Sequence, residues 1–246
     1  MIQIRNLSVR YQKHQKYALS QIDLSFKKGE FVCVLGKSGA GKSTFIRCVN
    51  GLQIPTSGSI IYHETDLKQC TIEQRRKIRR EMGMVFQHFH LIPRMTVIQN
   101  VLTGYFGYRS SMKNLLGIFS KEELIKAEQA LIDVELTHEY NRRVEELSGG
   151  QMQRVGIARV IVQQPNVLLG DEPVASLDPG TSKRIFQLLK KIHVRHELLT
   201  IMNVHDIRLA KQYATRILAL REGKLIFDGK PEEFTEDVFN LTYSMN

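Results

Sequence analysis

At 246 residues the chain has room for one large α/β unit, or for one domain carrying an insertion, with a sizeable core. Hydrophobic residues at 42% and charged residues at 24% exclude a disordered or collagen-like chain. The net charge of +10 invites a nucleic-acid reading, but residues 1–120 hold 18 basic and 6 acidic side chains while residues 121–246 hold 17 and 19, so the excess belongs to one half and a polyanionic ligand there suffices.

In chain order, Met1 to Arg5 lacks the charged and apolar regions of a signal peptide, so a cytosolic location is expected. Ile2–Val9 alternates with a period near two and predicts a half-buried strand, and residues 18–26 predict a second, ending at Lys27-Lys28-Gly29. Phe31–Leu35 is continuously apolar, the pattern of a strand buried on both faces, and is far shorter than the ~18 apolar residues of a membrane span. Further strands are predicted at 59–62, 83–86, 167–169, Leu199–Asn203, 216–220 and 224–227, mostly separated by helix-like segments, which argues for a mainly parallel sheet.

From Gln87 to Ser148 no strand pattern occurs, so a helical insertion is expected, spanning about 88–165 within a single domain of residues 1–246. Ser120 with Glu123 forms a capping box, and Leu124, Ala127, Leu131 and Val134 continue an apolar stripe, predicting an amphipathic structural helix. Cys33, Cys48 and Cys70 are odd in number and lack C-x-x-C spacing, so reduced bystanders are expected. The cluster Arg75 to Arg80 has no interleaved aromatics to stack bases and predicts a solvated helix face. The aromatics Phe86, Phe89, Tyr105, Phe106 and Tyr108 are expected in the core.

Three runs carry chemistry. Gly36-Lys37-Ser38-Gly39-Ala40-Gly41-Lys42-Ser43-Thr44 matches G-x-x-x-x-G-K-[ST] between a predicted buried strand and a predicted helix, the context in which the motif is a phosphate cradle. Backbone N–H groups and the helix N-terminus face the phosphates, Lys42 supplies a full charge, and Ser43 supplies a hydroxyl for Mg²⁺. Asp171 and Glu172 end the apolar run Val167-Leu168-Leu169-Gly170, where Asp171 would hold Mg²⁺ and Glu172 would orient and deprotonate an attacking water. In Leu147-Ser148-Gly149-Gly150-Gln151 the Ser148 and Gln151 pair fits a capping box, followed by the stripe Met152, Val155, Ala158 and Val162. On residues alone two readings stand there, an ordinary capped helix or a second anion site.

With these motifs in order, the sequence resembles the ATP-binding subunits of ABC transporters over nearly its whole length. The resemblance implies a P-loop NTPase of ABC type: an α/β fold whose mixed sheet has an N-terminal antiparallel β part and an inserted helical subdomain. It implies that Ser148, Gly149, Gly150 and Gln151 contact ATP held by a second copy, in a head-to-tail homodimer. It further implies Tyr11 as the aromatic stacking on adenine, Gln87 as a residue sensing Mg²⁺ and the membrane partner, Ser176-Leu177-Asp178 as the D-loop, and His205 as the switch histidine at the γ-phosphate. Each has a plainer alternative: Tyr11, beside Gln12, Lys13 and His14, as cover for a sheet edge, Gln87 as a partner for backbone, and His205 as a cap or core imidazole. Gly170 stands where the family usually has a larger apolar residue, which predicts slightly looser packing.

Val174-Ala175-Ser176, Asn203-Val204-His205, the segment from Leu102 to Phe119 and the tail Asp237-Val238-Phe239-Asn240 with Tyr243 resemble the phosphonate importer ATPases, while Asp206 departs from that group. The resemblance implies an ATP-hydrolysing, energy-coupling subunit, a translocase ATPase using ATP and Mg²⁺. It would sit peripherally on the cytoplasmic face of the cell membrane, bound to separate transmembrane permease subunits and, through them, to an extracytoplasmic solute-binding protein. The aromatic span after Gln87 matches where the family receives its membrane partner. Alternatives are an importer of another solute, such as phosphite, an amino acid or a metal chelate, or a soluble ABC ATPase acting on nucleic acid. That last class usually carries a long coiled coil or two cassettes, and no nucleic-acid partner is expected here.

Overall fold

In the computed structural model, which describes residues 1–11 and 16–244, β1 (Ile2–Val9) buries Ile2, Ile4, Leu7 and Val9. Its alternation slips after Ile4, where Asn6 takes a left-handed φ of 47° and the register shifts, as at a β-bulge. β1 pairs antiparallel with β2 (Leu19–Phe26) and with β4 (Ser57–Tyr62), and β4 with the two-residue β5 (Thr65–Asp66). The resulting antiparallel sheet has the order β2–β1–β4–β5.

β3 (Phe31–Leu35), β6 (Met82–Phe86), β7 (Val167–Asp171), β8 (Leu199–Asn203), β9 (Arg216–Arg221) and β10 (Lys224–Gly229) form a second sheet of order β10–β9–β3–β8–β7–β6. It is parallel except for the β9–β10 hairpin. β3 is buried on both faces, as its unbroken apolar run requires. Val32 and Val34 join the antiparallel sheet and Phe45, Ile46 and Val49 of α1 (Lys42–Val49) in one hydrophobic cluster. Phe31, Cys33 and Leu35 face the other, helical cluster.

α2 (Ile72–Arg80) lies between the sheets in sequence, and α3 (Val97–Leu102), α4 (Ser111–Leu115) and α5 (Lys121–Asp133) fill the stretch from Gln87 to Ser148. The strand-like pairing in that stretch, among the described residues, is one isolated bridge, Thr96 to Arg143. α5 has the predicted capping box, and Ala127, Leu131 and Val134 are buried with Ala130, while Leu124 packs partly buried at the edge. α6 (Gly149–Gln163), α7 (Pro179–His196) and α8 (Ile207–Tyr213) follow, and α9 (Glu236–Tyr243) ends the described chain. Val155, Ala158 and Val162 of α6 and Ile185, Phe186 and Leu189 of α7 are buried in the helical cluster.

Three expectations change. The aromatics from Phe86 onward lie at the margin of the core: Phe86, Phe89, Tyr105 and Phe106 are half-buried, with Phe86 and Tyr105 packed against the clusters, and Tyr108 is 48% exposed. The Tyr108 hydroxyl donates to the carbonyls of Arg80 and Gln163, so the ring lines the rim of a groove rather than filling an interior. The basic helix is only partly a solvated face, since Arg75 donates to the carbonyls of Leu67 and Cys70 and Arg80 lies over the Tyr108 ring. Packing at Gly170 is tight rather than loose: a Cβ there would sit 3.0 Å from Met202 Cγ and 3.3 Å from Pro173 Cγ. The cysteines are free and buried, as expected.

Register aligns the carboxyl ends of four strands. Val34 pairs with Asn203, Asn203 with Asp171, and Asp171 with Phe86, so the loops that follow all leave from one edge of the sheet. That edge is where open α/β sheets bind ligands.

Candidate functional site

β3 delivers the chain to Gly36, whose φ of 147° and contact with the Leu220 carbonyl leave no room for a Cβ. The loop arches through exposed Ser38 and Gly39 to Gly41 and enters α1 at Lys42. α1 has no side-chain cap and no acidic residue in its first turn, whereas Thr71, Ser120, Ser148, Asp178 and Thr235 cap α2, α5, α6, α7 and α9. Its first N–H groups are therefore left for an external anion. Lys42 is 4% exposed, and its Nζ donates to the carbonyls of Gly36 at 2.8 Å and Lys37 at 3.1 Å, folding the ammonium into the loop. Burial pulls its pKa below the ordinary lysine value, and Glu172 and Asp171 offset part of that shift.

Asp171 is the last residue of β7, and its Oδ1 accepts from Ser43 Oγ at 2.7 Å and from Asn203 Nδ2 at 2.8 Å. Ser43 and Asp171 thus present two hard oxygen donors side by side, the chemistry that suits Mg²⁺. Among the described residues no group of three His, Cys, Asp or Glu side chains is placed to hold a metal, so such an ion would draw its remaining ligands from phosphate and water. Glu172 follows with a left-handed φ of 54°, a conformation that costs a non-glycine residue ~1–3 kcal/mol. It aims the carboxylate back across the edge: Oε1 lies 2.5 Å from His205 Nε2 and 4.0 Å from Lys42 Nζ. A cleft of about 430 Å³ opens beside Glu172, Asn203 and His205 and runs along Leu177 and Ser182.

Gln87 follows Phe86, the neighbour of Asp171, and is half-buried with no side-chain hydrogen bond among the described residues. Phe89 and His90, just beyond it, both have left-handed φ values, of 57° and 47°. Tyr11 is half-buried against the antiparallel sheet, and its hydroxyl lies 3.1 Å from Thr44 Oγ1 at the end of the loop motif. The neighbouring Gln12, Lys13 and His14 lie outside the described residues.

Ser148 caps α6 through Gln151 N, and Gln151 Oε1 accepts from Ser148 N, completing the predicted box. Gln151 Nε2 donates to Glu139 at 3.0 Å, so the glutamine amide is engaged within its own chain. Gly150 abuts α7, where a Cβ would fall 2.7 Å from Thr181 Cγ2, and Gly149 faces Leu177 and Phe89. Among the described residues no hydrogen bond or ion pair joins 148–151 to the loop 36–44, so the two motifs are not in direct polar contact within one chain. Asp178 caps α7, accepting from Thr181 N at 2.9 Å, and hydrogen bonds from Thr181 hold its carboxyl below the usual range.

In sequence, Asn203 ends an apolar strand and opens the run Asn203-Val204-His205 that carries the resemblance, without a role at the site. It is fully buried, it orients Asp171, and its own Oδ1 has no partner. The usable signal was an amide ending the buried strand that pairs with the one carrying Asp171.

Residues 19–175 match the ABC transporter family. The chain is 46% identical over 243 residues to the phosphonates import ATP-binding protein PhnC of Bacillus thuringiensis subsp. konkukian, covering 99% of this chain and 94% of the relative. To the protein of the same name from Staphylococcus aureus (strain USA300) it is 44% identical over 242 residues, covering 98% and 94%. Among solved structures, the dimeric post-hydrolysis state of the ATP-binding cassette MJ0796 bound to ADP and phosphate superposes with a TM-score of 0.83 at 34% identity, covering 94% of this chain and 99% of that one. CbiO1 of Clostridium perfringens, part of the transporter complex cbiONQ, gives 0.84 at 30% identity, covering 98% and 94%.

Proposed function

The chain belongs to the ABC transporter family, and from that premise we propose that it is the ATP-hydrolysing, energy-coupling subunit of an importer whose solutes are phosphonates. The observation that carries the ATPase reading is the convergence at one sheet edge of Lys42, Glu172 and His205 beside the Ser43–Asp171 pair. In this reading residues 36–44 cradle the phosphates of ATP, and the Lys42 ammonium exchanges loop carbonyls for phosphate oxygens. Glu172 orients a water and accepts its proton as the water oxygen attacks the γ-phosphorus and the bond to ADP breaks. His205 supports that carboxylate from its other side and reaches toward the transferred phosphoryl group. Ser43, Asp171 and Gln87 are the residues that would hold Mg²⁺, which when bound neutralises phosphate charge. Tyr11 stacks on the base.

Ser148, Gly149, Gly150 and Gln151, with the D-loop Asp178, face the ATP of a second copy, which gives the surplus anion site an occupant. The working unit is then a homodimer on separate transmembrane permease subunits, peripheral on the cytoplasmic face of the membrane, with an extracytoplasmic solute-binding protein beyond them. Among the described residues no helix is long and apolar enough to cross a membrane, in keeping with a transmembrane path supplied by other chains. The cassette is taken as one domain, 1–246, with its helical subdomain inserted at about 88–165.

Two measurements test this. Glu172→Gln should lower ATP turnover at least ~10²-fold while ATP still binds, and Lys42→Ala should lose binding as well; turnover surviving either change overturns the catalytic assignment. A strain lacking the gene should fail to grow on an alkylphosphonate as sole phosphorus source and recover with the gene restored. Unimpaired growth removes the solute and leaves the ATPase.

A further inference from the structure

The phosphate loop is not held by the sheet and α1 alone. Gly36 N, the first amide of the loop, donates to the hydroxyl oxygen of Tyr243 at 3.3 Å, although the two residues are 207 positions apart. Lys37 Nζ donates to the carbonyl of Ser244 at 2.8 Å. Arg221, which ends β9 next to the Leu220 carbonyl that abuts Gly36, donates to the Leu241 carbonyl at 2.8 Å and to Ser244 Oγ at 3.3 Å. Four hydrogen bonds thus fasten the end of α9 and Ser244, two to the start of the loop and two to Arg221 beside it.

The electrostatics explain why cations gather there. The last carbonyls of a helix have no intrahelical partner and carry the negative end of its dipole, so Lys37 and Arg221 are drawn to the C-terminus of α9. The helix is itself anchored, with Thr242 fully buried, Val238 packed against the helical cluster, and the Phe239 and Tyr243 rings 5.0 Å apart. Tyr243 therefore presents its hydroxyl from a fixed support, and Lys37 is turned toward the C-terminal segment rather than toward the inside of the cradle.

We infer that α9 is a working part of the nucleotide site, with Tyr243 a positioning residue that sets the entry of the phosphate loop through Gly36 N–H. Gly36 is then fixed from both directions, its N–H by Tyr243 and its carbonyl by Lys42. The loop is held ready for phosphate before phosphate arrives, and part of the ordering cost of binding is removed. The inference rests on residues 36–44 being the phosphate cradle. Binding of ATP by the unaltered chain tests that reading, and the difference between variants tests this one.

The experiment is titration of the full chain with ATP and with ADP, paired with thermal unfolding without nucleotide, for Tyr243→Phe and Tyr243→Leu. Tyr243→Phe keeps the ring and removes only the hydroxyl. It should raise the Kd of both nucleotides two- to tenfold while lowering Tm by no more than the ~2–4 °C that one lost hydrogen bond costs. Tyr243→Leu should raise Kd similarly and also lower Tm, because it loses the ring packing. A Tyr243→Phe chain whose Kd rises less than twofold, or whose Tm falls as far as that of Tyr243→Leu, overturns the inference.

Discussion

Asp171 receives two hydrogen bonds on the same oxygen, one from the Ser43 hydroxyl and one from the Asn203 amide, and only the first belongs to a recognisable motif. A buried amide left with an unpaired oxygen is retained at a cost of ~1–3 kcal/mol, so its donation to Asp171 has to matter for the site. Asn203→Ala should raise the Mg²⁺ concentration for half-maximal ATPase by ~10-fold or more, while ATP binding measured without metal changes little; an unshifted Mg²⁺ requirement would show Asn203 to be structural. Lys42, Ser43 and Asp171 were legible because each sits in a fixed spacing relative to a strand end. Asn203 was not, because Leu199–Asn203 satisfies the buried-strand pattern without needing its last residue explained. Glu172 was legible by position but not by conformation: its left-handed φ, which turns the carboxylate toward His205, leaves no trace in an Asp-Glu pair.

Local rules that close within one element were the ones the sequence exposed. The boxes at Ser120 and Ser148 each need only two residues three apart, and both form. Removing the second with Ser148→Ala should cost ~1 kcal/mol, or ~2–4 °C in Tm, and an unchanged Tm would mean that Gly150 against Thr181 fixes the helix start alone. What the sequence hid depends on distant partners: the rim position of Tyr108 is set by carbonyls of Arg80 and Gln163, and tight packing at Gly170 by Met202 from the next strand. His193 of α7 is another such case, buried against Phe31 with Nδ1 3.0 Å from Thr200 Oγ1 and its pKa pushed down from 6.5 to about 4 by burial and then by Lys190. The depressed value means that between pH 6.5 and 4 the unfolded chain binds a proton the folded chain refuses. The contribution of His193 to stability is therefore full above 6.5, falls with acidification by ~3 kcal/mol and levels off below 4. Urea midpoints across that range should follow this curve and flatten over the same interval in His193→Gln.

At the scale of the whole molecule, the basic excess of residues 1–120 includes the phosphate loop and the partly engaged arginines of α2, which replaces the nucleic-acid reading with an anionic substrate and a grooved basic surface. The mainly parallel sheet followed from the alternation of strand and helix patterns, whereas the antiparallel part was implied only by the resemblance, and the relation of residues 148–151 to the phosphate loop is not one that polar contacts within a single copy define among the described residues. If residues 148–151 complete the site of a second copy, each ATP is bound by two chains, and nucleotide binding and dimerisation must strengthen one another by the same factor. Glu172→Gln, which retains ATP, should then sediment as a dimer with saturating ATP and as a monomer without it, and its apparent ATP affinity should rise with protein concentration. Adding Ser148→Arg should abolish the dimer, since a bulky side chain would replace the cap and hold the partner's phosphates away from the helix start, while leaving one ATP bound per monomer. A Glu172→Gln chain that saturates with ATP and keeps monomer mass at every concentration would mean that Ser148–Gln151 is a capped helix and nothing more.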